Sequence, residues 1–356
     1  MSTERTGIPE ETPGLETLLD GAGRFVDPAL LRRLLDIRHG ADAADIVMCV
    51  ASRPLSDLIG RCGKRIRGRL VEIGFELGAG SSPSGQALER CRRLAESVEA
   101  LHAGSLAIDD LQDGSRMRRG APSLHAKYGM PIAVTIGTLL YYAPPEVIGA
   151  LGLPAETELR LLKLYNRTMV RAHLGQAIDV GVPIDTLPQE NVPGVCLASM
   201  ELKSGALFSM SLLFGAILAG ASEETCAPLG RFGHDFGVGL QMFDDIGNVR
   251  GSVEPAKRWE DLMLRRPTWV WACAARHFSK EIYGRFVSSV HRLSSDDRAP
   301  LETWFDQHDF LRRATRLAHD HVENSFALLE PALDDAHRPA AARLRALGAE
   351  IARAYE

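Results

Sequence analysis

Apolar residues recur every three to four positions along almost the whole chain: Leu30, Leu31, Leu34 and Leu35 near its start, Leu159, Leu162, Tyr165 and Met169 in the middle, and Leu311, Leu317, Val322 and Phe326 toward its end. That is the period of an amphipathic α-helix, whereas the apolar/polar alternation of half-buried strands is scarce. Stretches rich in Gly, Pro, Ser and Asp cut the pattern into helical lengths: GAGSSPSG at 78–85, APPEV at 143–147, VPIDTLPQENVPG at 182–194 and DDRAP at 296–300. No internal repeat or low-complexity tract stands out. The expected architecture is a single all-α domain over about 27–356, a large helical bundle, after a flexible polar segment over 1–26.

Composition narrows the classes. With 356 residues and 45% hydrophobic content the chain can bury a sizeable core. Its 41 basic and 46 acidic residues leave a formal charge of −5, so no surface-wide attraction for nucleic acid is expected and any anion binding must be local. Cys49, Cys62, Cys91, Cys196, Cys226 and Cys273 form neither a CxxC pair nor a regular spacing. Zinc clusters and disulfide frameworks are therefore disfavoured, and a reducing cytoplasmic location is expected. The opening MSTERTGIPEETPG has no apolar signal-peptide core. The uncharged run Ala206 to Ser222 falls short of the roughly 20 residues a spanning helix needs, so it reads as a buried core helix and no transmembrane segment is expected.

Candidate chemistry begins at SLAIDDLQDGSRMRRG, Ser105 to Gly120. If Leu101 to Met117 is one helix, Asp109 and Asp113 lie one turn apart on one face, with His102 two turns back on the same stripe. Unpartnered, those carboxylates repel; a divalent cation reverses the sign, and magnesium commonly takes one or two carboxylates plus substrate phosphate oxygens. An EF-hand is excluded, since Leu111 occupies a ligand position and Gly120 the twelfth. A solvated acidic face is the plain alternative for one such motif. LQMFDDIGN repeats the spacing with Asp244, Asp245 and Asn248, and two faces could clamp a diphosphate through shared metal ions.

Cations accompany both motifs. GKRIRGRL at Gly63 to Leu70 is not a Walker loop, because Leu58 stands where the first glycine belongs and Arg65 follows Lys64. Arg118 and Arg119 follow the first aspartates and offer guanidinium forks suited to diphosphate. Lys203, in KSG, and KRWEDLMLRRPTW at Lys257 to Trp269 add further positive charge.

In this order, from about Pro54 to Ala275, these elements resemble the trans-isoprenyl diphosphate synthase family. Gly63, Lys64 and Arg67 match its GKxxR. His102 precedes a DDxxD formed by Asp109, Asp110 and Asp113. Arg118, Arg119, Gly120, Pro122, His125, Tyr128 and Gly129 match RRGxPxxHxxYG, and Gly175, Gln176 and Asp179 match GQxxD. Lys203 and then Gln241, Asp244 and Asp245 complete the series. Asn248 in place of the last aspartate, and Gly68 where many members have proline, resemble the eukaryotic-type geranylgeranyl diphosphate synthases. Ile108 and Phe243 depart from the usual residues before the two motifs, Arg266 stands for a lysine, and the Lys257–Asp261 interval is one residue short.

The resemblance implies an isoprenoid synthase bundle with a central active-site cavity, homodimeric and cytosolic. It implies Mg²⁺ on Asp109, Asp113 and Asp244, with Asp110 and Lys203 also in the catalytic set. Arg118, Lys203, Gln241, Lys257 and Arg266 would bind the diphosphate of an allylic substrate, and Lys64, Arg67, His102 and Arg119 that of isopentenyl diphosphate. Gly104 and Ser105, the residues one turn below the first aspartate where short-chain members carry aromatic side chains, would leave room for a twenty-carbon product, with a twenty-five-carbon one also open. Close helix packing is the other reading of these two small residues. A terpene cyclase sharing the fold remains an alternative. It would need only the metal clamp, and Phe243, Trp259, Trp269 and Trp271 could serve it as cation-stabilising rings or simply be core. A non-catalytic partner subunit would be marked by loss of an aspartate motif, and both motifs are present.

Overall fold

The computed structural model describes residues 41–61, 63–252, 257–295 and 297–355. The flexible segment expected over 1–26, the domain start near Asp27 and the apolar pattern at Leu30 to Leu35 lie outside these. Among the described residues the chain is helical almost throughout, and its strands are a pair of two-residue segments, β1 (Met117–Arg118) and β2 (Ala121–Pro122). It divides into two compact units.

The first unit holds the described residues up to Lys64 together with Ala100–Ala143. It contains α1 (Ala41–Ile59), the second half of α3 (Gly85–Asp113), the β1–β2 hairpin, α4 (Leu124–Tyr128) and α5 (Met130–Leu139). Its core joins Leu55 and Leu58 of α1 to Ala100 and Ala107 of α3 and to Leu124, Ala133, Ile136 and Leu140. Small residues allow α3 and α5 to cross closely. A Cβ on Gly104 would lie 2.5 Å from the Gly137 carbonyl oxygen and 2.8 Å from Leu140 Cβ. The helix expected over Leu101–Met117 starts much earlier and ends at Asp113, because Gly114 turns left-handed at φ 69° and Met117 joins a strand.

The second unit comprises Arg65–Glu99 and the chain from Pro144 onward. It contains α2 (Ile66–Ala79), the first half of α3, α6 (Ala143–Ala150) from Pro144 on, α7 (Ala155–Gly181), α8 (Val192–Met200), α9 (Ala206–Leu218), α10 (Glu223–Arg250), α11 (Glu260–Met263), α12 (Trp269–His277), α13 (Lys280–Arg292), α14 (Ala299–Gln307), α15 (Phe310–Leu329) and α16 (Arg338–Tyr355). Backbones touch where α2 crosses α9: a Cβ on Gly215 would fall 1.9 Å from the Val71 carbonyl oxygen, and one on Gly74 equally close to that of Leu212. Helix α10 starts where Ser222 accepts the Thr225 N–H (3.2 Å), has Glu223 and Glu224 in its first turn, and stops at Gly251 with φ 74°. Its middle is buried nearly all round, from Phe236 to Leu240 and from Met242 to Gly247 apart from Asp244, so it is the central helix of its unit.

The buried run expected over Ala206–Ser222 ends as a helix at Leu218, where Gly220 (φ 85°) and the Ala221 N–H to Ala216 carbonyl bond (3.0 Å) reverse the chain. Upstream, a π-helical turn, Glu201–Gly205, splices α8 to α9. The resulting apolar stretch Val192–Leu218 is longer than the sequence suggested and passes the length and composition test for a membrane span, as does Met130–Ala150. Of the first, 61% is buried inside the protein, as in a core helix.

Candidate active site

In the first unit the last turn of α3 carries the three aspartates. Asp109 and Asp113 are half-buried, whereas Asp110 turns inward and is 2% exposed. Arg118 reaches back from β1 to hold it: Nε donates to both Asp110 oxygens (2.9 and 3.1 Å) and Nη2 lies 2.6 Å from Oδ1, but 3.8 Å from the nearer Asp109 oxygen. Asp110 thus anchors an arginine beside the motif and leaves its two neighbours as the accessible carboxylates.

The basic end of the same unit assembles around Gly63. The Arg119 guanidinium lies so close over this residue that a Cβ there would meet it at 2.6 Å, and Arg119 Nη1 donates to the Arg61 carbonyl (3.3 Å). Lys64, the next residue in the chain, is exposed, so the Arg119 guanidinium rests one residue before this lysine. His102 is half-buried on α3, where its carbonyl accepts the Ser105 hydroxyl (2.8 Å). Arg67 belongs to the second unit, with its guanidinium 4.9 Å from the centre of the Phe208 ring.

In the second unit Lys203 sits in the π turn, a distortion that recurs at functional sites because it re-aims one side chain without breaking the helix. Gly175 on α7 lets that turn approach, since a Cβ there would lie 2.7 Å from the Lys203 backbone nitrogen. One turn further on, Asp179 Oδ2 accepts from Lys203 Nζ at 2.9 Å. The GQxxD and KSG motifs are therefore halves of one local arrangement. Gln241 on α10 links this turn to the second motif: its carbonyl accepts from Ser204 Oγ (2.6 Å), and its amide donates to Asp245 Oδ1 (2.8 Å).

The two aspartates of this motif face opposite ways. Asp244 is exposed, whereas Asp245 is buried and its Oδ2 accepts the first N–H of α12, from Trp269, at 2.6 Å. Burial pushes the Asp245 carboxyl up to about 7, while the bonds from Trp269 and Gln241 oppose the shift. Asn248 Nδ2 donates to the Lys257 carbonyl (3.1 Å), and its Oδ1 is buried without a hydrogen-bond partner. The accessible Asp109, Asp113 and Asp244 supply hard oxygen donors of the kind magnesium takes. Among the described residues no group of three or more His, Cys, Asp or Glu could hold a metal by itself.

Other expected site residues are placed differently. Arg266 is 8% exposed and donates to the Asp179 carbonyl (3.1 Å) at the end of α7, a structural position instead of an open phosphate contact. Lys257 is largely buried, with Nζ 3.7 Å from Glu260. Gly104 is consumed by the α3–α5 crossing, so of the two residues read as setting pocket depth only Ser105 is left to that role. Phe243, Trp259, Trp269 and Trp271 are all core. Phe243 meets His319 edge-on (4.8 Å), Trp259 stacks on Phe305 (5.8 Å), Trp269 Nε1 donates to the Ala314 carbonyl (3.2 Å), and Trp271 packs edge-on against Phe286 (4.9 Å). Their availability was the best argument for a cyclase. Arg61, which ties the hairpin to α1, gave no signal in the sequence beyond being one more cation in a basic stretch.

These features define a helical protein with two carboxylate motifs and cationic side chains near them in the sequence, and residues 49–297 match the polyprenyl synthetase family model. The chain belongs to the polyprenyl synthetase family. It is 33% identical over 188 residues to a geranylgeranyl diphosphate synthase of Sulfolobus acidocaldarius, covering 52% of this chain and 54% of that protein. With a geranylgeranyl pyrophosphate synthase of Eremothecium gossypii it shares 29% identity over 56% of this chain and 61% of the relative. The matches to these two curated relatives thus span little more than half their length. The fold is the all-α isoprenoid synthase fold. A solved geranylgeranyl pyrophosphate synthase from Corynebacterium glutamicum, complexed with isoprenyl diphosphate and magnesium, superposes with a TM-score of 0.75 at 24% identity, covering 95% of this chain and 98% of that one.

Proposed function

We propose that this chain condenses isopentenyl diphosphate with an allylic prenyl diphosphate, releasing diphosphate and a proton and lengthening the prenyl chain by one isoprene unit, with geranylgeranyl diphosphate as product. The observation that carries this reading is the basic pair Lys64 and Arg119 gathered at Gly63, in the same unit as the accessible Asp109 and Asp113. Carboxylates that hold metal ions serve any enzyme that ionises a prenyl diphosphate. A separate cationic cluster is needed only when a second diphosphate must be held. The names of the relatives, fungal and archaeal, support the same product.

In this reading Asp109 and Asp113 of the first unit and Asp244 of the second would hold magnesium, which would supply charge neutralisation for the departing diphosphate. Arg118, fixed by Asp110, and Lys203, fixed by Asp179, would bind the allylic diphosphate as cations each held in place within its own unit. Gln241 orients the same region. Lys64, His102 and Arg119 of the first unit and Arg67 of the second would bind isopentenyl diphosphate so that its double bond meets the allylic carbon that loses diphosphate. Lys257 and Arg266 are retained as helpers of the allylic site through the segments they brace.

Assembly as a homodimer is supported by exposed apolar side chains: Met130, Val134 and Leu139 on α5, and Leu159, Val170 and Leu174 along one face of α7. A cytoplasmic location accords with Cys91, Cys196, Cys226 and Cys273 being free, buried thiols. The test is to incubate the purified protein and Mg²⁺ with dimethylallyl, geranyl or farnesyl diphosphate, each with and without isopentenyl diphosphate, and analyse products before and after phosphatase. The proposal expects longer prenyl alcohols only after phosphatase and only with isopentenyl diphosphate. A hydrocarbon formed from the allylic substrate alone would replace it with cyclisation.

A further inference from the structure

The turn that carries Arg119 adopts a conformation that its sequence does not favour. Met117 pairs with Pro122 and Arg118 with Ala121, which leaves Arg119 and Gly120 as a two-residue loop with φ of 53° and 74°. Two consecutive left-handed residues make a type I′ hairpin turn, whose first position ordinarily takes Asn, Asp or Gly. A long side chain there crowds its own backbone and persists only where the surroundings hold it.

Arg61 supplies that hold. Its side chain is 8% exposed and grips the carbonyls flanking the turn, with Nη2 donating to Pro122 (2.7 Å) and Nη1 to Arg118 (3.4 Å). Its remaining donors are fixed on α1, where Nε bonds the Asp57 carbonyl (3.2 Å) and Nη2 lies 3.3 Å from the Asp57 carboxylate. The main-chain carbonyl of Arg61 in turn accepts from Arg119 Nη1 (3.3 Å), and the Arg119 guanidinium rests on Gly63, two residues further on. Arg118 has an independent anchor in Asp110, so its guanidinium stays in place when the turn loosens.

We infer that Arg61 is a positioning residue which holds the Arg118–Ala121 turn left-handed and thereby sets the Arg119 guanidinium beside Lys64 for the diphosphate of isopentenyl diphosphate. This rests on the proposed role of Arg119. Arg61 touches no substrate; its effect reaches the reaction through Arg119.

The experiment compares full-length wild type, Arg61→Met, Arg61→Lys and Lys127→Met by amide hydrogen exchange over residues 117–122 and by steady-state kinetics in each substrate. Lys127 also bonds Asp57 (3.0 Å) and serves as the control. Arg61→Met is expected to exchange at least tenfold faster in the turn and to raise KM for isopentenyl diphosphate at least tenfold. KM for the allylic substrate and kcat should stay within threefold. Arg61→Lys, which can still reach one carbonyl, should fall between Arg61→Met and wild type, and it decides the matter if Arg61→Met does not fold. Lys127→Met should match wild type. Unchanged exchange, or faster exchange with unchanged KM, would overturn the inference. If wild type shows no elongation that depends on isopentenyl diphosphate, the proposed function falls, and the exchange data alone decide whether Arg61 holds the turn.

Discussion

Replacing Gly104 by alanine separates the two meanings a small residue can have beneath the first aspartate motif. In a helix interior with free space the change is favourable by about 1 kcal/mol, because glycine has more backbone freedom to lose on folding. At Gly104 the new methyl would sit 2.5 Å from the Gly137 carbonyl oxygen and 2.8 Å from Leu140 Cβ, and a backbone carbonyl cannot rotate aside. Overpacking of this kind costs roughly 1–3 kcal/mol, so after the gain of about 1 kcal/mol the net expectation is a loss of up to about 2 kcal/mol. Gly284, inside α13 with no heavy atom near its hypothetical Cβ, is the internal control, and Gly284→Ala should gain about 0.5–1 kcal/mol. Thermal melts of the two variants beside wild type would move in opposite directions, with Gly104→Ala lower and Gly284→Ala higher. Product length should be unchanged in Gly104→Ala, whereas Ser105→Phe, at the half-buried position that remains, should shorten it. A Gly104→Ala protein that melts above wild type and makes a shorter product would refute the packing account and restore Gly104 as a pocket-floor residue.

Three further outcomes are expected. Asp245→Asn should lower stability by about 1–3 kcal/mol in denaturant titration, because the Gln241 amide would face a second donor while its carbonyl is engaged by Ser204; stability equal to wild type would remove Asp245 as the anchor of α12. Asp110→Asn should release Arg118 and raise KM for the allylic diphosphate, while Asp109→Asn should instead lower kcat and raise the Mg²⁺ concentration needed for half-maximal activity. Identical profiles for the two variants would contradict the division between buried and accessible carboxylates. Light scattering should give the mass of a dimer, and charged substitutions at Val170 and Leu174 should yield the monomer.

Much of this arrangement was legible because helical periodicity and the spacing of charged motifs are local properties. The punctuation at 78–85 and 296–300 coincides with helix ends, and both aspartate motifs lie on helices. What stayed hidden depends on partners distant in sequence. Asp110 and Asp245 look identical to their neighbours until the chain shows that Arg118 and the start of α12 have claimed them. The meaning of Gly104 depends on Gly137, and Arg61 matters only because the hairpin folds back onto α1. The π turn at Lys203 extends an apolar stretch that broke off, in the sequence, at charged Glu201 and Lys203. The tryptophans near the second motif carried an aromatic signal whose exposure no sequence pattern could settle, and all of them are buried.

Condensation is read most simply from the mass of the product formed from unlabelled farnesyl diphosphate and fully ¹³C-labelled isopentenyl diphosphate in the presence of Mg²⁺. The expected product is a prenyl diphosphate carrying one labelled isoprene unit on the unlabelled chain, lost on chelation with EDTA and strongly reduced in Lys64→Ala and Arg119→Ala. An unlabelled hydrocarbon, or product formation indifferent to those two cations, would contradict it.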